Sequence, residues 1–176
     1  GLDLCKTVKP DLLLATDPDA DRVGVACKDG DAYTLLTGNE MGVLLLDYIA
    51  RMRSERGEDL SDKVAVTTIV SSAMVDALAA EYGFELRRCL TGFKYIGDII
   101  TELSDAGQVD RFIFGFEESY GYLSGGHVRD KDAVNASLLI CQMAQDYKLR
   151  GMNLAQAMRA LYEKHGWWLN RTASVS

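Results

Sequence analysis

An acidic segment near the start of the chain has the residue types and spacing that most directly indicate chemistry. Asp17, Asp19 and Asp21 occupy alternate positions between two apolar runs, residues 12–15 and 23–27. In an extended backbone this spacing would place all three carboxylates on one side. Crowded like charges are tolerated when a cation binds among them, and an all-oxygen set suits a hard divalent ion, Mg²⁺ before Ca²⁺ or Mn²⁺. The segment therefore predicts a magnesium site, with a polar turn between two strands as the simpler alternative.

Two other acidic motifs resemble this segment in part. An EF-hand loop that began at Asp17 would need Gly at its sixth position and Glu at its twelfth, where the chain has Arg22 and Lys28. That motif is excluded. Phosphatases of the haloacid dehalogenase type also place Asp-x-Asp after an apolar strand, although they usually have Thr or Val where this chain has Asp21. That alternative, with Asp17 as the nucleophile, stays open.

A second candidate site is the loop Leu90-Thr91-Gly92-Phe93-Lys94, which lies between a predicted strand and a predicted helix. Lys94 falls in the first turn of that helix, where the positive end of the helix dipole makes a cation mildly unfavourable. A lysine retained there would suit acid–base work or phosphate contact, and a solvated surface lysine is the alternative.

A third loop joins a carboxylate and a hydroxyl to aromatic residues. Glu117 and Ser119 would share a face if the segment were extended, with Phe116, Tyr120 and Tyr122 as apolar walls. A carboxylate beside a hydroxyl is a usual arrangement for binding neighbouring sugar hydroxyls. The loop therefore predicts a sugar site, and a charged hairpin tip is the alternative.

The segment 124–132 follows closely and supplies cations. Arg129 and Lys131 could contact a phosphate, whereas Asp130 and Asp132 are adequately explained as helix caps. His127 could be a general base, although a loop histidine without a role is more common. We expect phosphate contacts from Arg129 and Lys131.

These loops must be positioned by an α/β fold. Runs rich in β-branched and aromatic residues alternate with segments of helical periodicity from Thr37 onward, which is typical of a sheet with helices on both faces. Before Thr37, two strands flank the acidic loop and an Asp29-Gly30 turn leads to a third. In such folds, functional residues collect at the carboxyl ends of strands.

Composition excludes several classes of partner. A net charge of −7 and a pI near 4.8 argue against nucleic acid, which is bound by basic patches. No apolar run approaches the length of a membrane span, and no signal peptide opens the chain, so we expect no membrane partner. The four cysteines are far apart and form no Cys-x-x-Cys, which indicates free thiols and a cytoplasmic protein.

Taken together, these motifs resemble the α-D-phosphohexomutase family, which includes phosphoglucomutase and phosphomannomutase. The resemblance is carried by five segments in the family's order: DPDADR at 17–22, LTGNE at 36–40, TGFK at 91–94, FGFEESYGY at 114–122 and RDKD at 129–132. It implies a Mg²⁺-dependent transfer of a phosphoryl group between positions 1 and 6 of a hexose, through an enzyme phosphoserine and a bisphosphate sugar. The sequence departs from the family at Pro18, where Gly is usual.

The resemblance also implies roles for individual residues. Asp17, Asp19 and Asp21 would hold Mg²⁺ together with the phosphoserine, and Arg22 would contact its phosphate. Lys94 would be an acid–base group, and sugar hydroxyls would bind Glu117 and Ser119. The same sugar-phosphate site would include the residues Thr91, Gly92, Lys94, Arg129 and Lys131.

The implied architecture is a three-layer αβα sandwich with a mixed sheet, preceded by a β-hairpin remnant. Residues 1–36 would end the family's second domain, 37–168 would form its third, and 169–176 would begin the linker to its fourth. Domains one and four, with the nucleophile motif and the phosphate loop, would be missing, since Thr172-Ala173-Ser174 copies only the start of the nucleophile motif. We therefore expect an inactive fragment of a mutase, with a non-catalytic module that binds a sugar phosphate or a metal as the alternative.

Overall fold

The computed structural model describes residues 1–170, which form helices packed around two β-sheets. The predicted linker from 169 onward, including Thr172-Ala173-Ser174, lies mostly outside the described residues. A short 3₁₀ turn at Val109–Arg111 precedes β6. The helices are α1 (Leu2–Val8), α2 (Gly38–Glu55), α3 (Met74–Tyr82), α4 (Phe93–Asp105), α5 (Ala133–Leu149) and α6 (Leu154–His165). The strands are β1 (Leu12–Thr16), β2 (Val23–Asp29), β3 (Ala32–Leu36), β4 (Val64–Thr68), β5 (Glu85–Cys89), β6 (Phe112–Phe116) and β7 (Tyr122–Leu123).

The smaller sheet is an antiparallel meander in the order β1-β2-β3. Gly30 has a φ of 64°, the conformation that the Asp29-Gly30 turn was predicted to need. Val23 and Val25 on the central strand are buried in the same core as α2, α5 and α6. The three predicted strands are thus confirmed, and their inner face helps to complete the main core.

The larger sheet is mixed, in the order β5-β4-β6-β7. β4 pairs in parallel with β5 and β6, whereas β7 runs antiparallel to β6. On one face α4 packs through Phe93, Ile96 and Ile100 against Val64 and Val66. The other face is covered by α2 and α3. This arrangement confirms the predicted three-layer sandwich with a mixed sheet.

The first ten residues contain a helix that the sequence pattern does not indicate. They form α1, which ends at Lys9 in a left-handed conformation (φ 51°) just before Pro10. Cys5 is the only buried residue of this helix. A helix that buries one side chain shows almost no amphipathic pattern, so periodicity carried no signal for it.

The two sheets meet where the acidic loop touches the loop after β6. Arg22 and Gly121 form an isolated antiparallel bridge. The Val23 N–H donates to the Tyr120 carbonyl at 3.2 Å, and the Ala133 N–H donates to the Ala20 carbonyl at 3.1 Å. Backbone hydrogen bonds therefore hold both predicted site loops in fixed register. None of the helices within residues 1–170 combines the length and apolarity needed to cross a membrane.

Candidate functional site

The candidate site lies at the carboxyl edge of the larger sheet, where the loops after β4, β5 and β6 come together. Its central carboxylate belongs to Glu117, directly after β6, and only 4% of that residue is exposed. Glu117 Oε1 accepts a hydrogen bond from the Gly92 N–H at 2.9 Å, at the start of α4. The structure thus joins two of the predicted loops, 91–94 and 116–122, through one side chain.

Burial raises the pKa of Glu117 above its ordinary value. The Gly92 N–H lowers this pKa, and the neighbouring Glu118 charge raises it further. A carboxylate in this position has few competing protein donors, since Gly92 engages only one of its oxygens. The arrangement is chemically suited to accept hydrogen bonds from ligand hydroxyls.

The spacing of Glu117 and Ser119 suggested an extended segment, but the structure shows a turn. The segment turns back on itself: Tyr120 has a φ of 69°, and the Glu117 N–H donates to the Gly121 carbonyl at 2.9 Å. Ser119 lies half-buried in this turn. Phe116 is buried against α2, whereas Tyr120 is 40% exposed at the rim.

Threonines at the end of β4 position this turn, and sequence reasoning missed them. The Thr67 hydroxyl donates to the Phe116 carbonyl at 2.9 Å. The Thr68 hydroxyl lies 3.3 Å from Glu118 Oε2 and 2.8 Å from the Ser71 hydroxyl. Glu118 therefore points toward β4 and away from the Glu117–Gly92 contact. Both threonines are fully buried. Because buried hydroxyls are nearly always hydrogen-bonded, two threonines at the end of an apolar strand could have indicated that they hold a neighbouring loop.

The start of α2 packs directly against the same turn. A Cβ built on Gly38 would lie 1.9 Å from the Glu118 carbonyl oxygen, so only glycine allows this approach. Thr37 and Glu40 form a reciprocal capping box, and Asn39 Oδ1 accepts the Ser72 N–H at 2.8 Å. The LTGNE motif, for which sequence reasoning found no chemical role, thus supports the site.

The acidic loop is a turn, so the extended backbone that the spacing analysis assumed for the three carboxylates was wrong. Ala20 has a φ of 54°, and the Ala20 N–H donates to the Asp17 carbonyl at 3.0 Å. Asp17 Oδ1 accepts the N–H groups of Asp21 and Arg22, both at 3.2 Å. Among residues 1–170 no group of three acidic, histidine or cysteine side chains is placed to hold a metal ion.

Asp21 is instead paired with a lysine from the segment before α5. Lys131 Nζ lies 2.9 Å from Asp21 Oδ2 and 3.2 Å from Asp130 Oδ1. Burial lowers the pKa of Lys131, but its hydrogen bonds to the two carboxylates outweigh that effect and raise the pKa overall. Lys131 Nζ also lies 5.9 Å from the centre of the Phe93 ring. Lys131 therefore lies between the acidic loop and the start of α4.

The other predicted cations have different surroundings. Lys94 is exposed, with its Nζ 4.8 Å from the centre of the Tyr95 ring. The Arg22 side chain is about half exposed, and its Nε lies 4.0 Å from Asp21 Oδ1. Arg129 donates to the Gly126 carbonyl at 2.7 Å and to the Thr101 hydroxyl at 3.1 Å, so part of its guanidinium is already bound within the protein.

The remaining predicted residues lie close by. Thr91 is exposed at the start of the loop that ends in α4. His127 Nε2 lies 3.5 Å from Asp132 Oδ2, and Asp132 also caps α5 through the N–H groups of Val134 and Asn135. That geometry confirms the predicted helix cap at Asp132.

Comparison with known proteins identifies the family to which this chain belongs. Residues 37–165 match the family model described as phosphoglucomutase/phosphomannomutase, alpha/beta/alpha domain III. The chain therefore belongs to the phosphoglucomutase/phosphomannomutase family. It is 40% identical over 167 residues to phosphoglucomutase from Staphylococcus aureus strain USA300. That alignment covers 94% of this chain but only 29% of the relative's length.

Solved structures agree on the fold. A protein from Thermus thermophilus, assigned as a phosphomannomutase, superposes with a TM-score of 0.69 at 25% identity, over 94% of this chain and 34% of its own. The open form of the Paramecium phosphoglucomutase pp63/parafusin gives a TM-score of 0.67 at 22% identity, over 90% of this chain and 25% of its own.

The acidic loop has the donor chemistry for the magnesium ion that the family resemblance implies. It supplies three carboxylates within five residues, and Asp21 Oδ1 is a buried oxygen with no hydrogen-bond partner in the described part of the chain. Hard oxygen donors of this kind suit Mg²⁺. The donor chemistry fits the ion, although the three carboxylates are not gathered around one point among residues 1–170 and Asp21 Oδ2 is held by Lys131.

Proposed function

We propose that this chain is the part of a phosphohexomutase that binds the sugar of a hexose phosphate. The whole enzyme would interconvert hexose 1-phosphate and hexose 6-phosphate, of glucose, mannose or both, through an enzyme phosphoserine and a bisphosphate sugar. The observation that carries the proposal is the buried Glu117 carboxylate, fixed by Gly92 at the edge where three loops meet. The family assignment and the relatives named phosphoglucomutase support it.

The residues divide into sugar contacts and phosphate contacts. The Glu117 carboxylate would accept hydrogen bonds from sugar hydroxyls, and the Ser119 hydroxyl would donate to or accept from an adjacent one. Tyr120 would form an apolar wall beside them. Lys94 would act as the acid–base group, since it is exposed at the start of α4 and its Nζ lies over the Tyr95 ring.

Phosphate recognition would fall to the cations and to the loop backbone. The Arg22 side chain is half exposed and its ion pair with Asp21 is long, 4.0 Å, and Arg129 and Lys131 lie beyond β7. Thr91 and Gly92 would contribute from the loop after β5. Phosphoryl transfer depends chiefly on such positioning and charge neutralisation.

Asp17, Asp19 and Asp21 would hold Mg²⁺, which when bound neutralises charge on the transferring phosphoryl group. The serine nucleophile and the phosphate loop would lie in parts of the enzyme outside this chain, which spans 29% of the length of the relatives it matches. The domain boundaries at 36/37 and 168/169 belong to the same proposal.

Binding of sugar phosphate to the labelled chain tests the proposal. Titration of ¹⁵N-labelled protein with glucose 1-phosphate should shift the amide signals of Gly92, Ser119 and Gly121. Glu117→Gln should weaken those shifts, whereas Glu102→Gln, a solvent-exposed glutamate on α4, should leave them unchanged. Equal shifts with inorganic phosphate alone, or full binding by Glu117→Gln, would count against a sugar site at Glu117.

The two alternative functions, a phosphatase and a non-catalytic binding module, predict different experimental results. A phosphatase with Asp17 as nucleophile would form a stable aspartyl-phosphate mimic with beryllium fluoride at Asp17, and a mutase fragment would not. A non-catalytic module would bind glucose 1-phosphate yet belong to a complete protein without a catalytic serine. The match of residues 37–165 to the mutase family favours neither alternative.

A further inference from the structure

Asp21 already has a cation inside the protein. Its Oδ2 lies 2.9 Å from Lys131 Nζ, and the Lys131 side chain is only 11% exposed. The second acid beside this ammonium, Asp130, is 70% exposed at 3.2 Å. Because ion pairs strengthen as water is excluded, the contact with the less exposed Asp21 is the stronger of the two.

The rest of the acidic loop is arranged around this ion pair. Asp21 Oδ1 is buried without a hydrogen-bond partner in the described residues, and the nearest guanidinium atom, Arg22 Nε, lies 4.0 Å away. Asp17 uses one oxygen to accept two backbone N–H groups. A divalent ion that took Asp21 as a ligand would therefore lie next to the Lys131 ammonium, and the two positive charges would repel each other.

We propose that Lys131 is a built-in competitor of the divalent ion for Asp21. The Lys131–Asp21 pair and a fully occupied metal site exclude each other, so metal loading releases the lysine. This inference rests on the metal role given to the acidic loop under the proposed function. The new claim is that Lys131 leaves Asp21 when the metal ion binds, and that the Lys131 ammonium thereby lowers the affinity of the loop for the ion.

The released lysine stays on the sugar side of the site. Its stem packs where Gly121 leaves room, since a Cβ on Gly121 would lie 2.6 Å from Lys131 Cδ. Gly121 follows the turn that contains Glu117 and Ser119. An anionic sugar phosphate that attracts the Lys131 ammonium should therefore raise the metal affinity, and the ion should raise the sugar-phosphate affinity by the same factor.

Manganese titrations on matched lysine variants test the competition. Mn²⁺ is the probe, and paramagnetic broadening of amide signals in residues 17–22 is the measurement. Lys131→Met keeps the apolar stem but removes the charge, and it should bind Mn²⁺ about tenfold more tightly than the unmodified chain. Lys131→Arg keeps the charge and should show no such gain.

Lys148→Met is the matched control, because Lys148 Nζ pairs with Asp11 Oδ2 at a similar distance, 2.8 Å. It should leave the Mn²⁺ affinity unchanged, and Asp21→Asn should weaken binding. If Lys131→Met binds no more tightly than the unmodified chain while Asp21→Asn still weakens binding, the competition is overturned and the metal site stands. If Mn²⁺ broadens residues 17–22 in none of these proteins, both the competition and the metal role fail.

A second measurement needs no variant and so does not depend on its folding. The side-chain ammonium signal of ¹⁵N-lysine at position 131 should shift when Mg²⁺ saturates the unmodified chain, and that of Lys148 should not. A Lys131 signal that stays in place at saturation would show that the ion and the lysine do not compete.

Discussion

The Glu117 carboxylate and the Gly92 backbone N–H, 2.9 Å apart, connect the end of β6 to the start of α4. The carboxylate belongs to a residue that is only 4% exposed, and this backbone N–H is a single donor for a charge that water barely reaches. Burying an ionised group with few partners disfavours its charged form. The raised pKa of Glu117 reflects that imbalance. Stability is therefore lower than it would be with a neutral side chain, as is common at binding sites.

We predict that Glu117→Gln stabilises the chain while weakening sugar binding. Because the folded-state pKa lies above the unfolded one, the stability linked to Glu117 protonation is present at low pH and is lost as pH rises through the folded pKa. Gln cannot ionise, so the variant should gain on the order of 1 kcal/mol, a few degrees in Tm, at pH 8 and less at pH 4. Thermal melts at both pH values measure this, and a loss of stability at pH 8 would contradict it.

Glu117 and Glu118 should differ in their effect on sugar binding. Charge-assisted hydrogen bonds contribute about 1.5–3 kcal/mol, so Glu117→Ala should weaken glucose 1-phosphate binding on the order of ten- to a hundredfold. Glu118→Ala should have a much smaller effect, because Glu118 faces Thr68 instead. Calorimetric Kd values compare the two variants. A larger loss for Glu118→Ala would place the sugar on the β4 side of the turn.

Gly38→Ala should destabilise the protein through a steric clash at the site. The added methyl group would lie 1.9 Å from the Glu118 carbonyl oxygen, so α2 or the Glu118 turn must move. Such overpacking costs about 1–3 kcal/mol or more. Gly24→Ala is the control, since its Cβ would have only an ordinary contact at 3.8 Å. Urea unfolding compares the two variants, and equal stabilities would refute the close approach.

Asp47 should make stability fall as pH rises. It is 3% exposed on α2, and its partners are Tyr82, at 2.8 Å, and Tyr147, at 3.2 Å. Burial raises its pKa above the ordinary value of 3.8, although the two tyrosines and the charges of Arg51 and Lys164 lower it in part. The folded state therefore holds this proton more tightly, and stability declines from about pH 4 toward the folded pKa.

Asp47→Asn isolates that effect. The amide keeps the shape and the hydrogen-bonding capacity toward the tyrosines but has no charge to desolvate. In urea unfolding experiments its stability relative to the unmodified chain should increase as the pH rises from about 4 toward the folded-state pKa of Asp47. A difference that stays constant over this range would mean that Asp47 is ionised in the fold without a penalty.

The isolated chain should not interconvert hexose phosphates. The family's serine nucleophile motif does not occur in the sequence, and without a covalent phosphoenzyme the reaction has no path. A coupled assay with glucose 1-phosphate and a catalytic amount of glucose 1,6-bisphosphate should match the blank without protein. Turnover above that blank would show that a group in this chain can carry the phosphoryl group.

The fold was largely readable from the sequence because its signals are local. β4 is five buried residues rich in Val and Thr, and α4 has a clear amphipathic pattern ended by Gly107. The alternation of strands and helices predicted a sheet with helices on both faces, but not the order of its strands. α1 could not be read, since its single buried residue, Cys5, is held by tertiary contacts that periodicity does not report.

The sequence named candidate residues that the structure brings close together, but it did not give their geometry. Spacing identified Glu117 and the three aspartates, yet it assumed extended backbone at both places. Positive φ angles at Ala20 and Tyr120, two residues that seldom adopt them, turn both loops. The Lys131–Asp21 pair joins positions 110 residues apart in sequence, and such pairs are set by the packing of whole elements.

The junction at Arg22, Val23 and Ala20 has a consequence for how this molecule can diversify. Its hydrogen bonds to Gly121, Tyr120 and Ala133 involve main-chain atoms only. Side chains that make no supporting contact of their own can therefore be exchanged without removing the hydrogen bonds that align the two loops. In the proposed function, a new hydroxyl pattern on the sugar would be matched by changing such side chains alone, while the spacing between the turn after β6 and the acidic loop would be inherited unchanged.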